Sequence, residues 1–274
     1  MHFIEAHGAR IPAIGLGTWP MRGTECARAV RTAIAAGYRH IDTASIYGNE
    51  DGVGEGMRAS GIPRGEIFVT TKVWPTDIAG GALERSAEKS LRRLGTDYVD
   101  LLLIHWPSRS LSMAETIEPL NAARRRGLAR HIGVSNFTAE MVEEAWRATR
   151  EPLAANQCEY HPELSQEKVL AACRAHGMAF VSYTPLGRSV LFNHPVVRSI
   201  AERLGRSPAQ IILRWHVQQA GVAAIPKAAN RSHIEANIAI FDFELTDTDM
   251  AALFRLARHN GRQVESQFSP RWDS

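Results

Sequence analysis

Ala154-Ala-Asn-Gln-Cys-Glu159, Val169-Leu-Ala-Ala-Cys-Arg-Ala-His-Gly177 and Ala179-Phe-Val-Ser-Tyr183 follow one another along the chain, and their order decides the fold. The first and third are short strand-like runs. Between them Val169, Leu170 and Cys173 recur near i, i+3, i+4, which puts them on one face of a helix, and Gly177 reads as its C-terminal cap. Strand, helix, strand in succession implies parallel strands joined by a right-handed crossover.

The alternation continues in both directions. Strand-like runs occupy residues 14–17, 39–42, 67–72, 99–105, 131–135, 154–159, 179–183 and 222–225, and helical patterns lie between them, as in Ala27, Val30 and Ile34 before Gly37. Eight such units close naturally into an α/β fold of the (β/α)8 TIM-barrel type, with an open doubly wound sheet as the alternative. Residues 3–5 and 10–13 flank His7-Gly8 and predict an N-terminal β-hairpin that seals the barrel floor. An extra helix over residues 194–204 is predicted before the helix that starts at Pro208. No Pro/Gly/Ser linker breaks the pattern, so one domain over residues 1–274 is expected.

With 45% hydrophobic and 22% charged residues, the chain can bury a large core. Its 32 Lys and Arg are scattered among 29 Asp and Glu, for a net charge of +3, which gives no nucleic-acid footprint. The one dense basic run, Arg124-Arg125-Arg126, precedes Gly127 and reads as a cationic helix end. Cys26, Cys158 and Cys173 form no CxxC pair and are odd in number, which fits a reducing cytoplasm. No run approaches the roughly 18 apolar residues of a membrane span. No HExxH or comparable cluster occurs among the 11 histidines, so no metal is expected.

Barrels of this type carry their active sites at the C-terminal strand ends. Asp42, Lys72 and His105 end predicted strands two, three and four, and Tyr47 follows Asp42. Singly, each has an ordinary explanation: a turn cap, a surface charge, a satisfied imidazole, a half-buried aromatic. Together they make a proton-transfer device. An ammonium beside a phenol makes it a better acid, a carboxylate keeps a buried lysine charged, and an imidazole can hold a carbonyl oxygen. Lys72, Asp42 and His105 fill these parts around Tyr47.

The chain also resembles the aldo-keto reductases, and most closely their bacterial 2,5-diketo-D-gluconate reductase-like branch. The likeness rests on Gly15-Leu-Gly-Thr-Trp19, Gly37-Tyr-Arg-His-Ile-Asp-Thr-Ala44, Tyr47-Gly-Asn-Glu50, Thr71-Lys-Val-Trp74, Asp97-Tyr-Val-Asp-Leu101, Ile104-His-Trp-Pro107, Gly133-Val-Ser-Asn-Phe137, Asn156-Gln157, Tyr183-Thr-Pro-Leu-Gly187 and Ile225-Pro-Lys227. The resemblance implies a barrel, an NADP(H) cofactor, and a tetrad of Asp42, Tyr47, Lys72 and His105 in which Tyr47 is the general acid.

A Rossmann fingerprint is absent. Gly15-Leu-Gly17 lacks the third glycine, and Gly52-Val-Gly54-Glu-Gly56 falls within a helix-like stretch. The resemblance instead implies a cofactor lying across the barrel mouth. Ser135, Asn136 and Gln157 hold its carboxamide, Tyr183 stacks on the nicotinamide, Thr18 and Trp19 border it, and Pro185, Leu186, Gly187 and Arg188 cover the pyrophosphate. Lys227, between Ile225 and Ala228, matches the lysine that grips the 2′-phosphate. The chain departs from the family pattern there: Ala228 stands for Ser or Thr, His233 for an arginine and Ala236 for a glutamate, while Asn237 is retained. One phosphate donor is lost, and an imidazole that charges only at lower pH replaces a permanent guanidinium. NADPH preference with NADH tolerance follows, more NADPH-selective in acid.

Trp19, Trp74 and Trp106, with Phe268 or Trp272 of the tail, predict an aromatic-rimmed pocket for a small carbonyl compound. A short 107–114 segment and a short tail predict an open site taking small aldehydes, dicarbonyls such as methylglyoxal, and keto-sugar acids. The expected protein is a monomer or weak oligomer. The competing reading is a non-catalytic nucleotide-sensing regulatory subunit on the same fold, which would keep the cofactor residues without the tetrad.

Overall fold

A computed structural model describes residues 2–273. The hairpin pairs β1 (Phe3–Ala6) with β2 (Ala9–Pro12), antiparallel. Eight parallel strands follow: β3 (Leu16–Gly17), β4 (His40–Asp42), β5 (Phe68–Val73), β6 (Val99–Ile104), β7 (Ala129–Ser135), β8 (Leu153–Glu159), β9 (Ala179–Tyr183) and β10 (Val222–Ala224), paired in chain order. The sheet closes on itself. Gly15 N donates to Ala224 O at 2.9 Å, Ala224 N to Ala13 O at 2.9 Å and Gly17 N to Pro226 O at 3.1 Å, so the barrel is complete and the open-sheet alternative falls.

Helices α1 (Gly23–Ala35), α2 (Glu50–Ala59), α3 (Ala82–Leu94), α4 (Met113–Arg125), α5 (Ala139–Ala148), α6 (Glu167–Ala175), α7 (Pro195–Leu204), α8 (Pro208–Val217), α9 (Arg231–Ile238) and α10 (Asp247–Phe254) complete the chain. The extra helix is α7, capped by the His194 side chain. Gly37 and Gly177 sit just beyond α1 and α6 with φ of 104° and 62°, the left-handed geometry that ends a helix. Arg124, Arg125 and Arg126 close α4 and pair with Glu151, Glu118 and Glu88, which leaves no basic patch there. No helix among the described residues is long and apolar enough to cross a membrane.

The two discounted glycine motifs have packing roles. A Cβ on Gly17 would lie 2.6 Å from Ile225 O at the barrel seam, and one on Gly56 would lie 2.5 Å from Ala27 O, where α2 rests on α1. Glycine is required because backbone meets backbone.

Strand parity then aims the site. In β6, Leu101 and Leu103 belong to the inner core cluster and Leu102 and Ile104 to the outer one beneath the helices. The hairpin's Ala6, Ala9 and Ile11 join the inner cluster and plug the floor, as predicted. A period of two carries the inward direction upward: from Leu103 to His105, from Phe68 through Thr70 to Lys72, from Val181 to Tyr183, and from Ala155 through Gln157 to Glu159. Truncating Leu101 or Leu103 to Ala below the site would cost about 2–5 kcal/mol.

Candidate active site

Lys72 is 0% exposed, and its ammonium donates to Asp42 Oδ1 at 2.6 Å and to Thr43 O at 2.8 Å. The Tyr47 hydroxyl lies 3.5 Å from the same Nζ. The His105 ring meets the Tyr47 ring edge-on at 5.6 Å between centroids, and its Nδ1 is buried without a hydrogen-bond partner. The four predicted residues are therefore brought together.

Opposing influences act on Lys72 and Tyr47. Burial pushes the Lys72 pKa down, yet the Asp42 and Tyr47 partners outweigh it, so Lys72 stays charged with its pKa above the ordinary value. Burial pushes Tyr47 up, and Lys72 only partly offsets this. The expected easing of the phenol by the lysine is present in direction but does not win: Tyr47 is held as the neutral hydroxyl, a donor and not a phenolate. His105 is pushed well below 6.5 by burial and by Lys72, so it is neutral at physiological pH.

The loop bearing Tyr47 is tied at both ends. Residues 45–47 form a 3-10 turn ended by Gly48 at φ 62°. Asn49 donates to Thr18 O at 3.1 Å and Met21 O at 2.9 Å and accepts from Thr43 at 2.7 Å. Glu50 accepts from Thr71 at 2.6 Å and Arg93 at 2.7 Å. Asn49 and Glu50 were visible in the Tyr47-Gly-Asn-Glu50 motif, but what they hold was not.

A parallel-stranded barrel with this constellation at its mouth matches one known family, whose sequence model, "Aldo/keto reductase family", covers residues 13–258. The chain belongs to the aldo-keto reductase family. It is 41% identical over 255 residues to the 9,11-endoperoxide prostaglandin H2 reductase of Trypanosoma cruzi, covering 91% of this chain and 89% of that one. A solved structure provisionally named 2,5-diketo-D-gluconic acid reductase B superposes with a TM-score of 0.98 at 47% identity, over 100% of this chain and 98% of the other. The Bombyx mori aldo-keto reductase in complex with NADP superposes with a TM-score of 0.88 at 34% identity, over 95% and 93% of the two chains.

In this aldo-keto reductase four of the expected cofactor residues bond to one another and to Asp42 and His105. Gln157 Nε2 donates to Asp42 Oδ2 at 2.8 Å, Tyr183 OH to Asn136 Oδ1 at 2.7 Å, Ser135 Oγ to Gln157 O at 2.7 Å and Asn136 Nδ2 to His105 O at 2.9 Å. Asn136 adopts φ 64°. Pro185, Leu186, Gly187 and Arg188 lie in a loop where Thr184, Gly187, Arg188 and Ser189 all have positive φ. Ile225 and Ala228 are buried, Asn237 is 4% exposed, and Lys227 and His233 are exposed with no acidic partner among the described residues.

Three expectations change. Thr18 is fully buried and its hydroxyl donates to Asp42 O at 2.9 Å, so its side chain braces a strand end and does not face a ligand. Trp106 is only 5% exposed and lies beneath Trp272 of the tail at 6.1 Å, so little of its ring is left for a substrate, whereas Trp74 touches His105 edge-on at 5.2 Å and Trp19 faces Tyr47 at 6.0 Å. The site is also less open than a short tail suggested, because Phe268 closes on Trp74 at 5.5 Å. A buried group beside the site went unread: Glu159, 0% exposed at the end of β8. Its signal was its parity, two residues beyond Gln157 on the inward side.

Proposed function

We propose that the chain, working as one catalytic unit, reduces the carbonyl group of small aldehydes, dicarbonyls and keto-sugar acids with NADPH, and more weakly with NADH. The observation that carries this is the Tyr47 hydroxyl, kept protonated beside the buried ion pair of Lys72 and Asp42. Tyr47 donates its proton to the carbonyl oxygen, and Lys72 at 3.5 Å stabilises the phenolate that results. Asp42 keeps Lys72 charged. His105, held neutral by burial and Lys72, orients the same oxygen. Alcohol oxidation is the reverse path, with Tyr47 accepting the proton.

The donor set suits a nicotinamide dinucleotide. Tyr183 offers an aromatic face, Ser135, Asn136 and Gln157 offer amide and hydroxyl groups for a carboxamide, the 185–188 loop offers backbone for a pyrophosphate, and Lys227 offers an uncommitted ammonium for a 2′-phosphate. When bound, the reduced cofactor supplies the hydride. Trp19, Trp74 and Phe268 are the walls of the substrate pocket.

Tyr47→Phe tests the mechanism. NADPH consumption against a carbonyl panel should fall by about 10²–10⁴-fold in kcat, with NADPH binding retained. Unchanged turnover overturns the role of Tyr47. A wild-type chain that binds NADPH and reduces nothing on the panel would favour the nucleotide-sensing reading instead.

A further inference from the structure

We infer that Glu159 is a positioning residue that fixes the C-terminal tail over the substrate pocket and links it to the cofactor loop. The inference rests on the carbonyl-reductase reading for its kinetic consequences. Its structural basis is independent of that reading.

A carboxylate with no exposed surface must have partners, and most of those of Glu159 come from the tail. Consecutive backbone N–H groups, Gln263 to Oε1 at 2.7 Å and Val264 to Oε2 at 3.0 Å, clamp the two oxygens, and Arg262 lies 3.7 Å from Oε2. His161 Nε2 contacts Oε1 at 3.2 Å. The Gln263 side chain then reaches the other way, donating to Gly187 O at 3.1 Å in the 185–188 loop. One buried charge thus joins the end of β8, the start of the tail and the cofactor loop.

Beyond this anchor the tail runs over the barrel mouth. Arg109 donates to Ser269 O at 2.8 Å, Asp273 accepts from Ala139 N at 2.9 Å, and the Arg262 guanidinium stacks on Trp272 at 3.5 Å. Phe268 reaches Trp74, and Trp74 reaches His105. These outer contacts are surface hydrogen bonds and ring edges, each individually weak. The clamp at Glu159 is the buried, charge-assisted one, and it sets where Phe268 falls. Glu159 never touches the reacting atoms; it acts through the tail.

Glu159→Gln keeps the shape but cannot accept two N–H donors equally, because one oxygen becomes an NH2 group. The KM for a bulky aryl ketone should rise about tenfold, while the kcat and KM for a small aldehyde stay within roughly twofold. Trypsin should cut faster after Arg262, and saturating NADPH should slow that cut in wild type more than in the variant. Val264→Pro, which deletes one N–H from the tail side and leaves the barrel alone, should give the same signature. In a chain ending at Val264, Glu159→Gln should have no further effect on the aryl ketone. Equal losses on small and bulky substrates, additive losses in the shortened chain, or unchanged trypsin cleavage would overturn the inference. A wild-type chain that consumes no NADPH would sink the functional reading, and the proteolysis comparison would still decide the role of Glu159.

Discussion

Replacing Asp42 with Asn tests the proton relay at its least replaceable point. The side chain keeps its size and one oxygen acceptor, but the charge 2.6 Å from Lys72 Nζ is gone. Lys72 is fully buried, and burial is the largest influence on it, acting to favour the neutral amine. Asp42 is the first of the groups that reverse that preference, so without it the Lys72 pKa should fall. Breaking one half of a buried ion pair costs about 3–5 kcal/mol, a Tm loss of roughly 6–20 °C in a chain of this size, with the smaller value expected if Lys72 sheds its proton. Tyr47, already pushed up by burial, loses the neighbour that stabilises its phenolate. The kcat should fall by about 10²–10⁴-fold at neutral pH, and the residual activity should rise as pH falls and Lys72 regains its proton. Differential scanning fluorimetry and kcat measured between about pH 5.5 and about pH 9 would check both parts. A variant within roughly threefold of wild type, with an unaltered pH profile, would refute the reasoning.

Other consequences are equally open to measurement. His40, His105 and His216 are buried with depressed pKa values, that of His216 pushed down to about 3 by burial, whereas the unfolded chain takes up protons near 6.5. Stability should therefore be lost as pH falls below about 6.5, at about 1.4 kcal/mol per pH unit for each imidazole still neutral in the fold; urea unfolding at several pH values reads this slope, and a flat profile down to about pH 5 would contradict it. Gly17→Ala should destabilise by about 1–3 kcal/mol or more, since its Cβ would lie 2.6 Å from Ile225 O, and chemical denaturation measures it. The ratio of kcat/KM for NADPH over NADH should rise in His233→Arg, which puts a permanent planar cation beside the expected 2′-phosphate position; a ratio unchanged by that substitution would dismiss His233 as a phosphate contact.

Much of this was legible in the sequence because the barrel repeats a strongly periodic unit. β9 was read at its true bounds, and the other strands were placed to within one or two residues, since their apolar runs end at turn residues. The tetrad was legible because each member sits at a strand end or in the loop just after one. Thr18 and Trp106 misled because burial is set by what folds over a residue, here Asp42 and the tail. Asn49, Glu50 and Glu159 were passed over because a buried polar residue is recognised by its partners, and those partners are distant in the chain.

The sequence by itself determined the strand-helix alternation, the placement of Asp42, Lys72 and His105 at strand ends, and the departures Ala228 and His233 at the cofactor's far end. These depend on local spacing and residue type. Tertiary structure alone decided that burial outweighs Lys72 at Tyr47, that Glu159 receives the tail, and that Phe268 reaches Trp74. Each is a balance between groups far apart in the chain, and no local pattern records the desolvation or the contact until the chain has closed on itself.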